Sequence, residues 1–356
     1  MFALASGCAS ISYTSQAIIG QLDLMARTRP IADILDDTAA RKAQDAALFS
    51  PVAPAVRARL ATVLRLRAFA TEVLALPDNG SYTLYAEIDR PAVAWNVIAT
   101  PALSFTAREW CYPFAGCVPY RGFFARDRAE REAARLRTEG LDVRVASVAA
   151  YSTLGWFRDP VLNTQLRQDD AAVAGVLIHE LAHQQLYLPG DATFNESFST
   201  TVELEGLQRW LAQENNPQAW AKAEAELKRR QEFVEFVLPY RKRLETIFAS
   251  ASDAADQHTA KAQVYADLRA AWPALQARWG GEHGYAGWFA QDLNNAHLAG
   301  IGLYYEYVPA FRQLLRAHQG DLKAFYQAAR VISRLSAKAR REHLEQLSHS
   351  ATAAAP

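Results

Sequence analysis

The sequence predicts an α+β protein that is predominantly α-helical. Three observations lead there: Ala-, Leu- and Arg-rich stretches with apolar residues at helical spacing, only two regions of strand-like character, and glycines and prolines that break the pattern between them. Half of the 356 residues are hydrophobic, enough for a substantial core. Lys plus Arg equals Asp plus Glu, so no overall field draws the chain to nucleic acid or to an acidic membrane surface. No stretch approaches the roughly 18 apolar residues of a membrane-spanning helix.

The region from about Ile18 to Leu76 reads as a helical N-terminal segment, most clearly over Val56 to Leu76, and Asp78, Asn79 and Gly80 end it. Ser81 to Thr100 alternates and is rich in Tyr, Val and Ile, and Leu141 to Val148 has the same character; these are the strands expected. Between them, Asp127 to Thr138 predicts an Arg-rich helix capped by its aspartate and stopped by Gly140. After Asp159 and Pro160 come helices from about Asp170 to Tyr187 and from about Glu196 to Gln213, separated by a turn at Pro189 and Gly190. Pro217 to about Leu347 is helical in composition, broken near Gly280 to Gly284. The expected organisation is a signal remnant over 1–10, a helical segment with a small sheet over 11–150 and a helical catalytic region over 151–347. These last two form one continuous body, and 348–356 is a disordered tail.

The segment VLIHELAHQ carries the chemistry. His179 and His183 lie four apart, about one turn along one helix face, where both imidazoles can reach a single metal ion. Glu180 sits beside the first of them, placed to act on the attacking water as a general base without being a ligand. Glu196 follows on the next helix. Two histidines and one glutamate leave a fourth zinc position open, the arrangement of a catalytic rather than a structural site. Glu203, about two turns beyond Glu196 on the same face, is either a hydrogen-bond partner that fixes a histidine tautomer or a rival third ligand. Cys111 and Cys117, six apart in WCYPFAGCVPYRGFF, are either a disulfide or two buried thiols.

HELAHQ followed by FNESFSTTVELEG resembles the HExxH plus NExFA pattern of gluzincin aminopeptidases, with Ser199 standing where that pattern has alanine. WCYPFAGCVPYRGFF, YSTLGWFRDPVLNT and NNAHLAGIGLYYEYVPAF look like blocks of a bacterial family of predicted aminopeptidases, often lipoproteins, and the resemblance runs from about Cys8 to Phe311. It implies a zincin-like body, a Zn2+ cofactor held by His179, His183 and Glu196, Glu180 as the base, and a peptide substrate. The GxMEN segment that holds a substrate's free ammonium in such enzymes is absent; its positional analogue is Trp95 to Pro101, where a strand containing Asn96 could pair with a peptide or be an ordinary sheet strand. Tyr305 is the favoured donor to transition-state charge among Tyr304, Tyr305, Tyr307 and His297. Arg121 is a candidate for binding a substrate carboxylate, against the alternative of a structural arginine.

The N-terminal MFALASGCAS resembles a lipobox, which implies lipidation at Cys8. Ala9 follows where an inner-membrane lipoprotein would carry aspartate, so the resemblance places the protein at the outer membrane, facing the periplasm and touching the bilayer only through its anchor. Two other functions fit the same residues. One is an amidase acting on peptidoglycan stem peptides. The other is a non-catalytic envelope protein whose zinc staples two helices, with His297 as the natural fourth ligand.

Overall fold

A computed structural model describes residues 16, 19–36, 52–112, 116–148, 152–281, 284–301 and 306–353; Cys8 and Tyr305 lie outside them. In chain order the elements begin with β1 (Thr28–Pro30), α1 (Ile31–Leu35), α2 (Pro54–Glu72), β2 (Leu84–Ala86), β3 (Ala94–Pro101), β4 (Trp110–Tyr112) and β5 (Gly116–Val118). There follow β6 (Arg121–Phe123), α3 (Arg126–Thr138), β7 (Leu141–Val148), β8 (Val161–Leu162), α4 (Asp170–Gln185) and α5 (Ala192–Gln213). The rest is helical: α6 (Pro217–Phe248), α7 (Ala254–Arg278), α8 (Ala286–Phe289), α9 (Asn295–Leu298), α10 (Val308–Ala317), α11 (Leu322–Ser333) and α12 (Ala337–Ala353). The protein is therefore α+β and predominantly helical. No helix among the described residues is long and apolar enough to cross a membrane.

The chain folds as two compact units, one assembled from Met1–Val93, Val148–Ala223 and Leu303–Pro356, the other from Ala94–Ser147 and Glu224–Gly302. The first unit contains the sheet β1-β2-β8, with β1 antiparallel and β8 parallel to the central β2. Its core gathers Leu60, Leu66 and Phe69 of α2, Leu177, Ile178 and Leu181 of α4, Phe194, Phe198 and Trp210 of α5, and Phe311 and Phe325 of the C-terminal helices. The second unit holds the sheet β6-β3-β7, the hairpin β4-β5, and an aromatic core in which Trp272 stacks on Phe289 with centroids 4.3 Å apart. Cys111 and Cys117 face one another across that hairpin and form a disulfide.

Several expectations are corrected by these details. Ser81 to Thr100 is two strands in different sheets, because Asp89, Arg90 and Pro91 bend the chain between β2 and β3 and Pro91 has no N–H to continue a ladder. The expected N-terminal helical segment is interrupted by β1, an edge strand that closes on Pro30, where a missing donor does no harm. β4, β5, β6 and β8 are too short to produce a readable alternation. Asp127 does not cap α3; it sits in the first turn and pairs with Arg131 at 2.8 Å. The last helix runs on through Ala353, past the expected stop near Leu347, since nothing between Ser348 and Ala353 is a helix breaker.

The pairing of α4 with α5 sets the functional geometry, and Gly206 makes it close. A Cβ there would lie 2.7 Å from Leu74 Cδ1 and 3.0 Å from Ile178 Cγ2, so the helices approach through the space a side chain would need. Ile178 immediately precedes His179. Gly206→Ala is expected to destabilise the fold by about 1 to 3 kcal/mol through overpacking, read as a lowered denaturation midpoint.

Candidate metal centre

The site is built on two capped helices of the first unit. Asp169 starts α4 by accepting from the Ala172 N–H at 2.9 Å, and Asp191 starts α5 by accepting from the Phe194 N–H at 3.0 Å. Between them the chain turns back through Gly190, whose backbone adopts φ +82°, a conformation costly for other residues. Asn195 clamps this return: its amide accepts from the Leu188 N–H at 2.7 Å and donates to the Leu188 carbonyl at 2.8 Å. The buried clamp fixes the residue that follows it, Glu196.

Three donor atoms converge. His183 Nε2 lies 3.1 Å from His179 Nε2, His179 Nε2 lies 3.2 Å from Glu196 Oε2, and His183 Nε2 lies 3.7 Å from the same oxygen. A tetrahedral zinc with bonds of about 2.0 to 2.2 Å separates its ligand atoms by roughly 3.3 Å, which this triangle brackets. The residues present therefore fit a zinc ion. Among the described residues this is the grouping of His, Cys, Asp and Glu suited to a metal, and it contains three members.

The outward nitrogens of both histidines are also engaged. With Nε2 facing the metal position the proton resides on Nδ1; that of His179 is 3.0 Å from Glu203 Oε2 and that of His183 is 3.0 Å from Ser199 Oγ. Glu203 therefore sits behind His179 rather than beside Glu196, its carboxylate packed where Gly175 leaves room: a Cβ there would come within 3.2 Å of Glu203 Oε1. Ser199, fully buried, is the partner that sequence reasoning passed over. The available signal was the hydroxyl at the one position where the NExFA pattern differs, one turn beyond Glu196 on α5.

Charge balance in this pocket follows from burial and proximity. Burial alone would lower the His179 imidazolium, but Glu196 and Glu203 outweigh it and push its pKa up to about 10. Burial would raise Glu196, yet the hydrogen bonds from His179 and His183 prevail and hold it at about 2. Glu180 moves the other way: burial raises it, His179 and His183 pull it down, and the charges of Glu196 and Asp159 add to the rise. Two neighbouring carboxylates thus take opposite characters, one held ionised against the imidazoles and the other made more basic. Tyr187, one turn beyond His183, presents its ring edge to that imidazole at 6.5 Å between centroids.

Of the remaining expected residues, Asn96, Arg121 and His297 lie in the second unit and Tyr307 in the first. Asn96 is on β3, a strand flanked on both sides by β6 and β7, so its edges are already paired within the sheet. Arg121 of β6 makes an ion pair of 3.0 Å with Glu132 of α3. His297 belongs to a capping box on α9, where its Nδ1 accepts from the Asn294 N–H at 3.2 Å; burial lowers its pKa to about 4, and Arg144 reinforces the shift. Tyr307 is a core residue whose N–H donates to Ser197 Oγ at 3.2 Å.

The two outer hydrogen bonds make a graded prediction. Ser199→Ala is expected to weaken zinc binding about tenfold and Glu203→Ala up to about 100-fold, because each lets a ligating imidazole turn. Competition with a chelator measures both.

No curated protein and no solved structure matches the chain. A family model described as "Putative aminopeptidase" matches residues 12–344, nearly the whole length, and the chain belongs to that family.

Proposed function

We propose that the protein is a zinc-dependent peptidase of the gluzincin type, hydrolysing peptide bonds with His179, His183 and Glu196 as ligands and Glu180 as general base. The observation that carries this reading is the triangle of Nε2, Nε2 and Oε2 atoms within 3.1 to 3.7 Å of one another on paired helices, with Glu180 adjoining one ligand. Membership of the family supports peptides as the substrate class.

A bound zinc would supply Lewis acidity, polarising the scissile carbonyl and making water acidic enough to lose a proton near neutral pH. Glu180 takes the proton from the attacking water and returns it to the leaving amine. Its buried setting favours both halves, since a carboxylate made more basic accepts a proton readily and a neutral carboxyl is tolerated between the steps. Glu203 and Ser199 hold the imidazoles so that both Nε2 lone pairs stay aimed at one point. Tyr305 is assigned the donor role toward the developing oxyanion.

Among the described residues the donor set has three members, and a set of three favours catalysis over a zinc that only staples helices, because a staple needs a closed shell. The test is hydrolysis of a mixed peptide library by zinc-loaded protein, with and without chelator. Chelator-sensitive release of single N-terminal residues supports an aminopeptidase, cleavage confined to stem-peptide amides supports the amidase, and zinc binding without cleavage of either supports the staple.

A further inference from the structure

The segment between β8 and the preceding strand carries a feature that the metal site does not use. Trp156 is 79 % exposed and Phe157 47 %, with Leu154 beside them at 37 %, so three large apolar side chains from four consecutive residues face solvent. Exposing such a patch costs solvation free energy, and a monomeric protein rarely keeps one that has no partner.

The loop is also built rather than slack. Asp159, 1 % exposed, accepts from Ser152 Oγ at 3.2 Å, from the Thr153 N–H at 2.9 Å and from Thr153 Oγ at 2.8 Å. Thr153 Oγ in turn accepts from the Phe157 N–H at 3.0 Å, and the Trp156 N–H donates to the Thr153 carbonyl at 3.1 Å. Leu154 and Gly155 both lie in the left-handed region, at φ 55° and 81°. A branched residue held there indicates that the surroundings impose the loop's shape, a property common at binding sites.

Position links the loop to the site. A Cβ at Gly155 would lie 2.9 Å from Asn79 Nδ2 and 3.5 Å from Gln184 Oε1, and those two side chains are joined by a hydrogen bond of 2.7 Å. Gln184 directly follows the ligand His183. At the loop's other end the Asp159 carbonyl accepts from the Tyr82 N–H at 2.7 Å. The loop that carries the apolar side chains thus lies against Gln184 of the helix that bears both histidines.

We propose that Leu154, Trp156 and Phe157 form an apolar platform at the rim of the site, receiving an apolar and preferentially aromatic side chain of the peptide substrate. The proposal rests on the peptidase reading and names the substrate class for it. Aromatic faces give large contact area at low cost in side-chain entropy, and burying one more ring against such a platform yields about tenfold in preference over alanine.

The test uses labelled pentapeptides with free N-termini and Phe, Leu, Ala or Glu at each position in turn. Binding is measured on zinc-loaded Glu180→Gln protein and turnover on the wild type, each with and without Trp156→Ala and Phe157→Ser. Both side chains are too exposed for their loss to unfold the protein. The expected result is a Phe-over-Ala preference of about tenfold at one position, in binding and in kcat/KM, that collapses in the Trp156→Ala background. Turnover with a preference that Trp156→Ala leaves intact overturns the platform and spares the peptidase reading. A preference in binding that Trp156→Ala abolishes, without turnover of any peptide, sustains the platform and sinks the peptidase reading. Neither binding nor turnover overturns both. If Trp156→Ala instead releases the protein from phosphatidylcholine or phosphatidylglycerol vesicles with peptide selectivity unchanged, the loop is a lipid contact and the proposal fails.

Discussion

Glu180→Gln is expected to lower kcat on a cleavable peptide by about 10³-fold while zinc content stays at the wild-type level. Glutamine keeps the volume and a hydrogen-bonding oxygen but cannot accept a proton, so the substitution removes one chemical capacity and little else. Glu180 is outside the ligand triangle, which explains why the metal should remain. It is close enough for the charges of both imidazoles to act on its carboxyl, which explains why the chemistry should not remain. Steady-state kinetics beside elemental analysis of the same preparations reads both quantities. A variant with full zinc and undiminished kcat would show that another group handles the proton.

Glu196→Ala is expected to abolish activity by a different route, weakening zinc binding by at least about 100-fold, since a lost ligand costs more than a lost outer partner. Two imidazoles four residues apart on one helix remain a weak metal site. The comparison with Glu203→Ala is the informative one. Glu196 Oε2 faces the Nε2 atoms of both histidines, whereas Glu203 Oε2 faces the Nδ1 of His179 alone. If Glu203 were the third ligand, the order of the two variants in a chelator competition would reverse.

Much of this site was legible because its chemistry is local. The four-residue spacing of His179 and His183 puts both rings on one face of any helix that contains them, whereas the Asp191 cap that starts α5 at Ala192, ahead of the expected start near Glu196, went unread. Glu203 could be paired with a histidine from its two-turn offset to Glu196, although whether it stood behind the ring or beside the metal depended on the crossing of α4 over α5. That crossing is set by Gly175 and Gly206, whose missing side chains say nothing until the facing residues are known. Ser199 was hidden for a related reason: a serine within a helix ordinarily turns to solvent or to its own backbone, and only the packed partner shows it facing His183.

The fold's division into two interleaved units was not legible at all. The first unit joins segments separated by stretches of the second, and nothing in the composition of Ala94–Ser147 or Glu224–Gly302 marks them as a separate body. The same limit hid the sheets. β2 has three residues and β8 two, and their partnership depends on closing some 75 residues of chain, which no window of periodicity spans. The apolar loop at Leu154 to Phe157 lies within the block YSTLGWFRDPVLNT, and its exposure shows only in the folded chain.

The most direct test of the central claim is the zinc content of the wild-type protein together with its zinc-edge X-ray absorption spectrum. One zinc per chain, bound by two imidazole nitrogens, a carboxylate oxygen and one further light atom at about 2.0 to 2.2 Å, is the predicted result. A protein that holds no zinc after loading, or that binds it through sulfur, would contradict the account.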